Sequence, residues 1–578
     1  MAPERAGFAA AIGLLLFIAA LAYANSLTGV FVLDDTLGIL ENPTLHRLWP
    51  LSGPLTPVGG GLTVSGRPIL NLSLAINYAI SGSGVWSYHV ANLLIHALAG
   101  LVLFGIAHRT LRRMAHPAAL PLAGVAAALW LAHPLQTESV TYVIQRAESL
   151  MGLFYLVTLY AVVRGAESDR PWAWYPMAVV ACALGMGTKE VMATTPIVVL
   201  LYDRAFLAGS VANAWRSRKG LYLLLASTWL LLFWLLRATG NRDGSYGVGV
   251  GVPWWSHAVM QPAAILHYLR LALWPHPLIF DYGLIQPRSL RDVLPAALIV
   301  LPLVAITVAG LVRNRRWAFL GAWFFVILAP TSSLLPSSRQ TFSEHRMYLP
   351  LAALGVAASL ALYELLRRRL RPTLLIALAW IAALCLVTAH RNRDYRSDLA
   401  LYASVVARYP DNAFGQYVFA NALLARDQDQ QALRHYDIAV RLKADDKSIH
   451  VNRAYALLRL DRAAEAIAEY EAGFRLGPVS PDAFLGYAAA LVGGGRAGEG
   501  LSYFDEYASQ RSQDASAQFT VGQLLLDAGR PTEAVLYLQN AQALVPGDHQ
   551  VDALLERARS LQSAQPSGST VQQRTRSP

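Results

Sequence analysis

Apolar residues fall into long runs up to about Val387, then give way to short stretches at helical spacing. A bilayer-spanning helix needs about 20 mostly apolar residues. Segments near that length lie at 7–25, 89–108, 118–133, 149–164, 172–188, 190–206, 220–237, 293–312, 317–335, 348–366 and 373–389. Another, 257–275, is interrupted by Gln261, Pro262, His267 and Arg270. The pattern predicts an all-α chain of about eleven transmembrane helices followed by a soluble helical part.

Basic clusters between the runs suggest an orientation, because cytoplasmic loops are enriched in Lys and Arg. Arg109, Arg112 and Arg113 follow the second run. Arg216, Arg218 and Lys219 follow the sixth, and Arg313, Arg315 and Arg316 follow 293–312. Arg367, Arg368, Arg369 and Arg371 follow 348–366. With all four inside, the N-terminus is cytoplasmic and the C-terminal part extracytoplasmic, provided 257–275 is re-entrant or interfacial. The segment His390-Arg391-Asn392-Arg393 then violates the charge rule on the outer side. The stretch 7–24, after Arg5 and ending Ala22-Tyr23-Ala24, has the look of a signal peptide but is read as a first span.

Composition divides the chain in two rather than suggesting a nucleic-acid binder. It is 55% hydrophobic and 15% charged with a net charge of +11, but its basic residues flank apolar runs and no zinc-finger or RNA-binding signature accompanies them. Cys182 and Cys385 both lie inside apolar runs, which excludes a disulfide framework.

Beyond the apolar runs the chain repeats. Ala432, Tyr436 and Ala439 recur 34 positions on as Ala466, Tyr470 and Gly473, then as Gly500, Phe504 and Tyr507, then as Ala534, Leu538 and Ala541. Pro478 and Pro546 share one phase, and Arg462, Arg496 and Arg530 another. Period 34 with small–aromatic–small residues at i, i+4 and i+7 resembles the tetratricopeptide repeat (TPR). A half repeat is expected from near Asp398, starting with Tyr402 and Pro410.

In this topology, ionisable residues gather on the outer face, where charges at an apolar boundary are costly and point to function. Asp34-Asp35 follows the first span, and adjacent carboxylates can supply a general base for a hydroxyl. Arg67, Arg146, Lys189 and Arg346 come from four loops, and cations are what a phosphate leaving group needs. Glu138, Glu148, Glu190, Glu344 and His345 occupy the same loops, as does Arg339. The glycine-rich stretches Gly59-Gly60-Gly61 and 247–251 lack a following Lys-Ser/Thr and read as flexible loops, not phosphate loops. No HExxH or Cys/His cluster is present to bind zinc.

These motifs resemble one family. Phe31-Val32-Leu33-Asp34-Asp35 is similar to the first-loop acidic motif of the transmembrane-and-TPR-containing O-mannosyltransferases, a branch of the GT-C glycosyltransferases. His133-Pro134-Leu135-Gln136-Thr137-Glu138 through Glu148 is similar to the second-loop motif. Lys189-Glu190, Pro275-His276-Pro277 through Tyr282, and Glu344-His345-Arg346-Met347-Tyr348-Leu349-Pro350 match later motifs. The Ala/Arg-rich composition suggests a bacterial member and an inner-membrane location.

The resemblance implies a GT-C membrane module over 1–391 with a large first extracytoplasmic loop at 26–88. A periplasmic TPR α-solenoid would follow over 392–558, and a disordered tail over 559–578. It implies an inverting glycosyltransferase that uses a polyprenyl-phosphate-linked sugar. Asp34 or Asp35 would be the base, Arg67, Arg146, Lys189 and Arg346 would hold the phosphate, and the glutamates and His345 would orient the acceptor. A divalent metal is allowed but not required. The repeats would hold a protein or peptide acceptor. Two other readings stay open: a membrane-anchored TPR scaffold without activity, and a lipid-linked oligosaccharide ligase or polymerase.

Overall fold

The computed structural model describes residues 2–56, 63–239, 254–285, 287, 289–332 and 341–564. Gly59-Gly60-Gly61, the 247–251 stretch, Arg339 and positions 565–578 lie outside the described residues. Every regular element among the described residues is helical. The chain divides into two compact units, Met1–Tyr409 and Pro410–Pro578.

Among the described residues of the first unit, six helices are long and apolar enough to cross a membrane: Arg5–Thr28, Trp86–Arg113, Val143–Glu167, Val211–Ala238, Arg291–Val312 and Leu370–Arg396. A bent pair, Ala119–Ala132 with Pro134–Thr141, makes a seventh if it is one span. Apolar helices at Pro68–Ser81, Ala318–Thr331 and Pro350–Leu365 are shorter. The chain is a multi-pass membrane protein. The expected run at 190–206 is broken into a 3-10 turn, the helix Thr195–Tyr202 and a π turn. The interrupted segment near 257–275 forms one continuous helix, Trp254–Leu273, with Pro262 inside it. The expected loop at 26–88 is largely folded, since it contains the helix Pro68–Ser81.

Ala119–Ala132 is the central element. It has no polar face, and every residue from Val125 to its end is buried, as expected of a helix surrounded by others. It packs against the helices Ala2–Tyr23, Trp86–Arg113, Pro350–Leu365 and Leu370–Asn392.

Buried polar bonds tie the ends of these helices together. The Thr388 hydroxyl donates to the Ala132 carbonyl at 2.7 Å. The Asn392 amide donates to the Ala22 carbonyl at 2.9 Å and its carbonyl oxygen accepts from Thr141 at 2.8 Å. This fixes where the first loop and the 134–141 turn begin. The chain bends by 54° after Ala132. His133 closes that bend, with Nδ1 accepting from the Leu135 N–H at 3.2 Å and Nε2 bonding the Ala272 carbonyl at 3.1 Å.

The helix Asp398–Arg408, where a leading half repeat is expected, falls within the first unit. Its Tyr402 packs near Phe280, with ring centroids 6.1 Å apart.

Among its described residues, the second unit forms four helix pairs, beginning with Ala413–Leu424 and Asp429–Leu442 and ending with Ala515–Asp527 and Pro531–Leu544. A last helix, His549–Ala564, follows. That helix carries regular structure past the expected tail start at 559, because Val551, Leu555 and Ala558 give it a buried face.

The period of 34 has two physical causes. Ala432, Tyr436, Ala439, Ala466, Tyr470, Phe504, Ala534, Leu538 and Ala541 are all buried between paired helices, while Tyr507 is only half-buried. A left-handed residue also recurs at the turn inside each helix pair: Asp427 (φ 57°), Asp461 (φ 59°), Gly495 (φ 84°) and Gly529 (φ 72°). There the next N–H reaches back to the preceding helix, as from Arg530 to the Leu525 carbonyl at 2.8 Å. Arg462 and Arg496, next in phase, pair with Glu465 and Glu499 on the surface, where such pairs contribute little.

Candidate active site

The acidic dyad is split by its backbone. Leu33 adopts φ 47°, a conformation costly for a branched side chain and one that clusters at functional sites. After it, Asp35 turns inward and is fully buried. Its Oδ2 accepts the Val32 N–H at 2.9 Å and its Oδ1 the Ile144 N–H at 2.7 Å. Burial pushes the Asp35 carboxyl well above its usual range, against the pull of those two N–H groups. Asp34 stays half-buried. Its N–H donates to the Tyr142 hydroxyl at 3.0 Å, and its Oδ2 accepts from Thr63 at 3.3 Å. Of the two carboxylates, that of Asp34 is the less buried.

Thr63 leads to the first cation. Its carbonyl accepts from Arg67 Nη1 at 2.9 Å, and Arg67 Nη2 pairs with both Glu190 oxygens at 3.3 and 3.1 Å. Lys189 points to a different partner, with Nζ 2.8 Å from Glu148 Oε1. Glu148 in turn is 4.0 Å from His345 Nε2. His345 Nδ1 lies 2.6 Å from Glu138 Oε1, and its backbone N–H donates to Glu138 Oε2 at 2.8 Å. Burial, aided by the Lys189 charge, holds the His345 ring pKa well below its usual value. The contact with Glu138 is thus a short hydrogen bond to the imidazole ring. Glu138, His345, Glu148 and Lys189 form one buried chain of polar groups drawn from three sequence motifs.

Glu344 faces another way. Its Oε1 accepts from the Ile279 N–H and the Tyr282 hydroxyl, both at 2.6 Å. Burial raises its pKa to about 7, opposed by the Arg391 charge. Arg346 is buried too, donating from Nη1 to the Thr341 carbonyl at 3.2 Å.

Arg146, expected to hold phosphate, lies deep in the helix packing. It is 1% exposed. Its guanidinium donates to Asn92 Oδ1 and Asn77 Oδ1 at 2.6 Å each, and to the Ser73 and Tyr88 carbonyls at 3.0 Å each. Those four acceptors occupy its fork, so Arg146 clamps the helices Pro68–Ser81, Trp86–Arg113 and Arg146–Glu167 together.

Arg391 was not among the expected site residues. It is 5% exposed, with Nη1 on Asp394 at 2.8 Å and its guanidinium 5.5 Å from the Tyr395 ring centre. Its Nε and Nη2 are buried without a hydrogen-bond partner. The signal for it was the breach of the charge rule at 390–393: this arginine is inside the protein, where its charge acts on Glu344, and not in a solvated loop. Among the described residues no three His, Cys, Asp or Glu side chains converge as a metal-ligand set.

Comparison with known proteins agrees with both halves of this architecture. Residues 65–237 match the family model described as dolichyl-phosphate-mannose-protein mannosyltransferase, and residues 384–545 match a tetratricopeptide repeat model. The chain is thus similar over one segment to a protein mannosyltransferase model and over another to TPR repeats. It is 23% identical to the mouse (Mus musculus) protein O-mannosyl-transferase TMTC3, over 76% of this chain and 52% of that protein. It is 26% identical to human (Homo sapiens) TMTC4, over 72% of this chain and 64% of that protein. Human TMTC2 is 27% identical over 47% of this chain and 35% of its own length. The chain thus spans between about a third and two thirds of these relatives. Among solved structures, ArnT from Cupriavidus metallidurans bound to undecaprenyl phosphate is 17% identical with a TM-score of 0.38, covering 80% of this chain and 79% of that one. The TPR protein YrrB, described as having an unusual peptide-binding site, is 19% identical with a TM-score of 0.22, covering 28% of this chain and 85% of that one.

Proposed function

We propose that this protein is a membrane glycosyltransferase that moves a sugar from a polyprenyl-phosphate carrier to a hydroxyl, on a protein acceptor, at the extracytoplasmic face. The observation that carries the reading is the division of labour in the dyad. Asp35 is pinned by two backbone N–H groups, and Asp34 beside it is left reachable. Fixing one carboxylate to orient its neighbour suits a general base, which must meet a hydroxyl at hydrogen-bond range.

In this mechanism Asp34 takes the proton of the acceptor hydroxyl. The hydroxyl oxygen attacks the anomeric carbon from the side opposite the lipid phosphate. The carbon–oxygen bond to phosphate breaks, its electron pair leaves with the phosphate, and the anomeric configuration inverts. A phosphate monoester needs no protonation to depart, but its charge needs cations. Lys189, Arg67 and Arg346 are assigned that task, each already held by a carboxylate or carbonyl that fixes its position. Glu148 and Glu190 orient Lys189 and Arg67, Glu138 orients His345, and Glu344 holds the Ile279–Tyr282 segment beside them. The donor class is supported by the family model, whose description names dolichyl-phosphate-mannose. The protein acceptor is supported by the relatives' names and by the repeats.

The test offers purified protein a polyprenyl-phosphate sugar or a polyprenyl-pyrophosphate sugar, with a hydroxyl peptide. Transfer from the monophosphate alone, lost in Asp34→Asn, is expected. Transfer from the pyrophosphate alone would indicate a ligase or polymerase, and equal envelope glycans with wild type and Asp34→Asn would indicate a scaffold.

A further inference from the structure

The first unit contains an apolar cavity unrelated to the dyad. It has a volume of about 190 Å³ and runs between the helices Trp86–Arg113, Arg146–Glu167, Ala318–Ser332 and Pro350–Leu365. That exceeds the ~150 Å³ of an engineered apolar cavity that stays dry and admits benzene. Its depth is lined by Leu103, Leu156, Trp323 and Ala353, all buried.

The polar groups on its wall are satisfied by each other. Thr110 Oγ1 bonds the Ile106 carbonyl at 2.7 Å and the Tyr202 hydroxyl at 2.6 Å. The lining therefore offers hydrocarbon contact and nothing for a sugar.

Its mouth differs. Met114, Trp317 and Arg316 are exposed there. Arg112, Arg113, Arg313 and Arg315 lie in the same two turns. A tryptophan and a cluster of arginines at a helix boundary are the features of a headgroup region, and basic pockets between transmembrane helices bind anionic lipid headgroups.

We propose that this cavity seats one acyl chain of an anionic glycerophospholipid, with its phosphate on Arg316. Charge complementarity selects an anionic head, and the lining selects a hydrocarbon chain. The occupant is not the sugar donor. Asn92, which holds Arg146 near the dyad, is on the helix Trp86–Arg113, and Met114 at the mouth caps its C-terminal end 22 positions on. At 1.5 Å per residue that separation is about 33 Å, roughly the thickness of the hydrocarbon core. A phosphate at Arg316 is on the far side of the membrane from Asp34.

The test uses the full chain in detergent, with phosphatidylglycerol, phosphatidylcholine, a polyprenyl phosphate and inorganic phosphate as probes. Retention is read by native mass spectrometry and stabilisation by thermal shift. Wild type is expected to retain phosphatidylglycerol about fivefold better than phosphatidylcholine, the worth of one arginine near a headgroup. Arg316→Ala is expected to bring the two lipids level. Ala107→Leu, which narrows the cavity, is expected to reduce retention of both. Equal retention of the two lipids by wild type would overturn the proposal, as would an undiminished preference in Arg316→Ala. So would displacement of phosphatidylglycerol by polyprenyl phosphate at lower concentration, or an equal thermal shift from inorganic phosphate alone. The surface variant Arg316→Ala decides the question even if Ala107→Leu does not fold.

Discussion

Asp35 and Ile144 are 109 positions apart, yet the Asp35 carboxylate accepts the Ile144 N–H at 2.7 Å. That bond joins the first-loop acidic motif to the turn that starts the helix Arg146–Glu167. It makes the second aspartate of the dyad a brace for the first.

The two aspartates should therefore fail differently. Asp34→Asn keeps the shape of a half-buried side chain and removes its basicity. Transfer should fall by about 100-fold or more, with an unchanged melting temperature. Asp35→Ala strands two N–H groups, at a cost of about 1–3 kcal/mol for each buried group left unpaired. Its melting temperature should drop together with activity. A variant Asp34→Asn with normal transfer in a donor-supplied assay would remove the base from the mechanism.

Arg146 should behave as a structural residue. Arg146→Lys keeps the charge but leaves most of the acceptors on Asn92, Asn77, Ser73 and Tyr88 unserved, since a lysine cannot reproduce a planar fork. The variant should lose stability, and any properly folded fraction should bind donor with the wild-type KM. A raised donor KM at unchanged thermal stability would restore Arg146 to the phosphate site.

Glu344 adds a pH dependence of known sign. Burial raises its folded pKa to about 7 from an ordinary value of 4.5. Between those pH values the folded protein binds more protons than the unfolded one. Stability contributed by this group is full below the lower value and is lost as pH rises through about 7. Glu344→Gln keeps an oxygen for the Ile279 and Tyr282 donors and cannot titrate. Its melting temperature should fall less than that of wild type between pH 5 and pH 8, and identical pH profiles would show that Glu344 does not carry the effect.

Much of this architecture could be read from sequence because its causes are local. Tyr436 and Tyr470 recur at the repeat period because each fills the same place between paired helices, and the apolar runs report burial or lipid directly. The partners within the candidate site are not local. Nothing in the sequence around Arg146 reveals that Ser73, Asn77, Tyr88 and Asn92 converge on it. Arg391 was visible only as an anomaly of the charge rule. Its burial depends on the end of the helix Leu370–Asn392 coming near Glu344, which lies in a different motif. Hydropathy reports apolarity and not where a helix breaks, so the apolar run at 190–206 does not reveal the 3-10 turn before the helix Thr195–Tyr202.

Lys189 and Glu148 pose the last question, because a buried pair can be structural, functional or both. Their side chains are 8% and 4% exposed, with Nζ 2.8 Å from Oε1. Removing one partner leaves a buried charge without its counter-ion, at a cost of about 3–5 kcal/mol. Lys189→Met alone should therefore unfold at lower temperature, and its loss of transfer would be uninformative. The double variant Lys189→Met with Glu148→Leu removes both charges, and replacing a buried pair with apolar residues is often neutral. Its melting temperature should return towards wild type. If Lys189 carries the leaving phosphate, transfer should stay down by about 100-fold or more, the scale of losing one charge-stabilising donor. If the pair only fastens the 189–195 turn to the helix Arg146–Glu167, transfer should return with stability. Measuring both quantities on the double variant separates the two roles, which neither single variant can do.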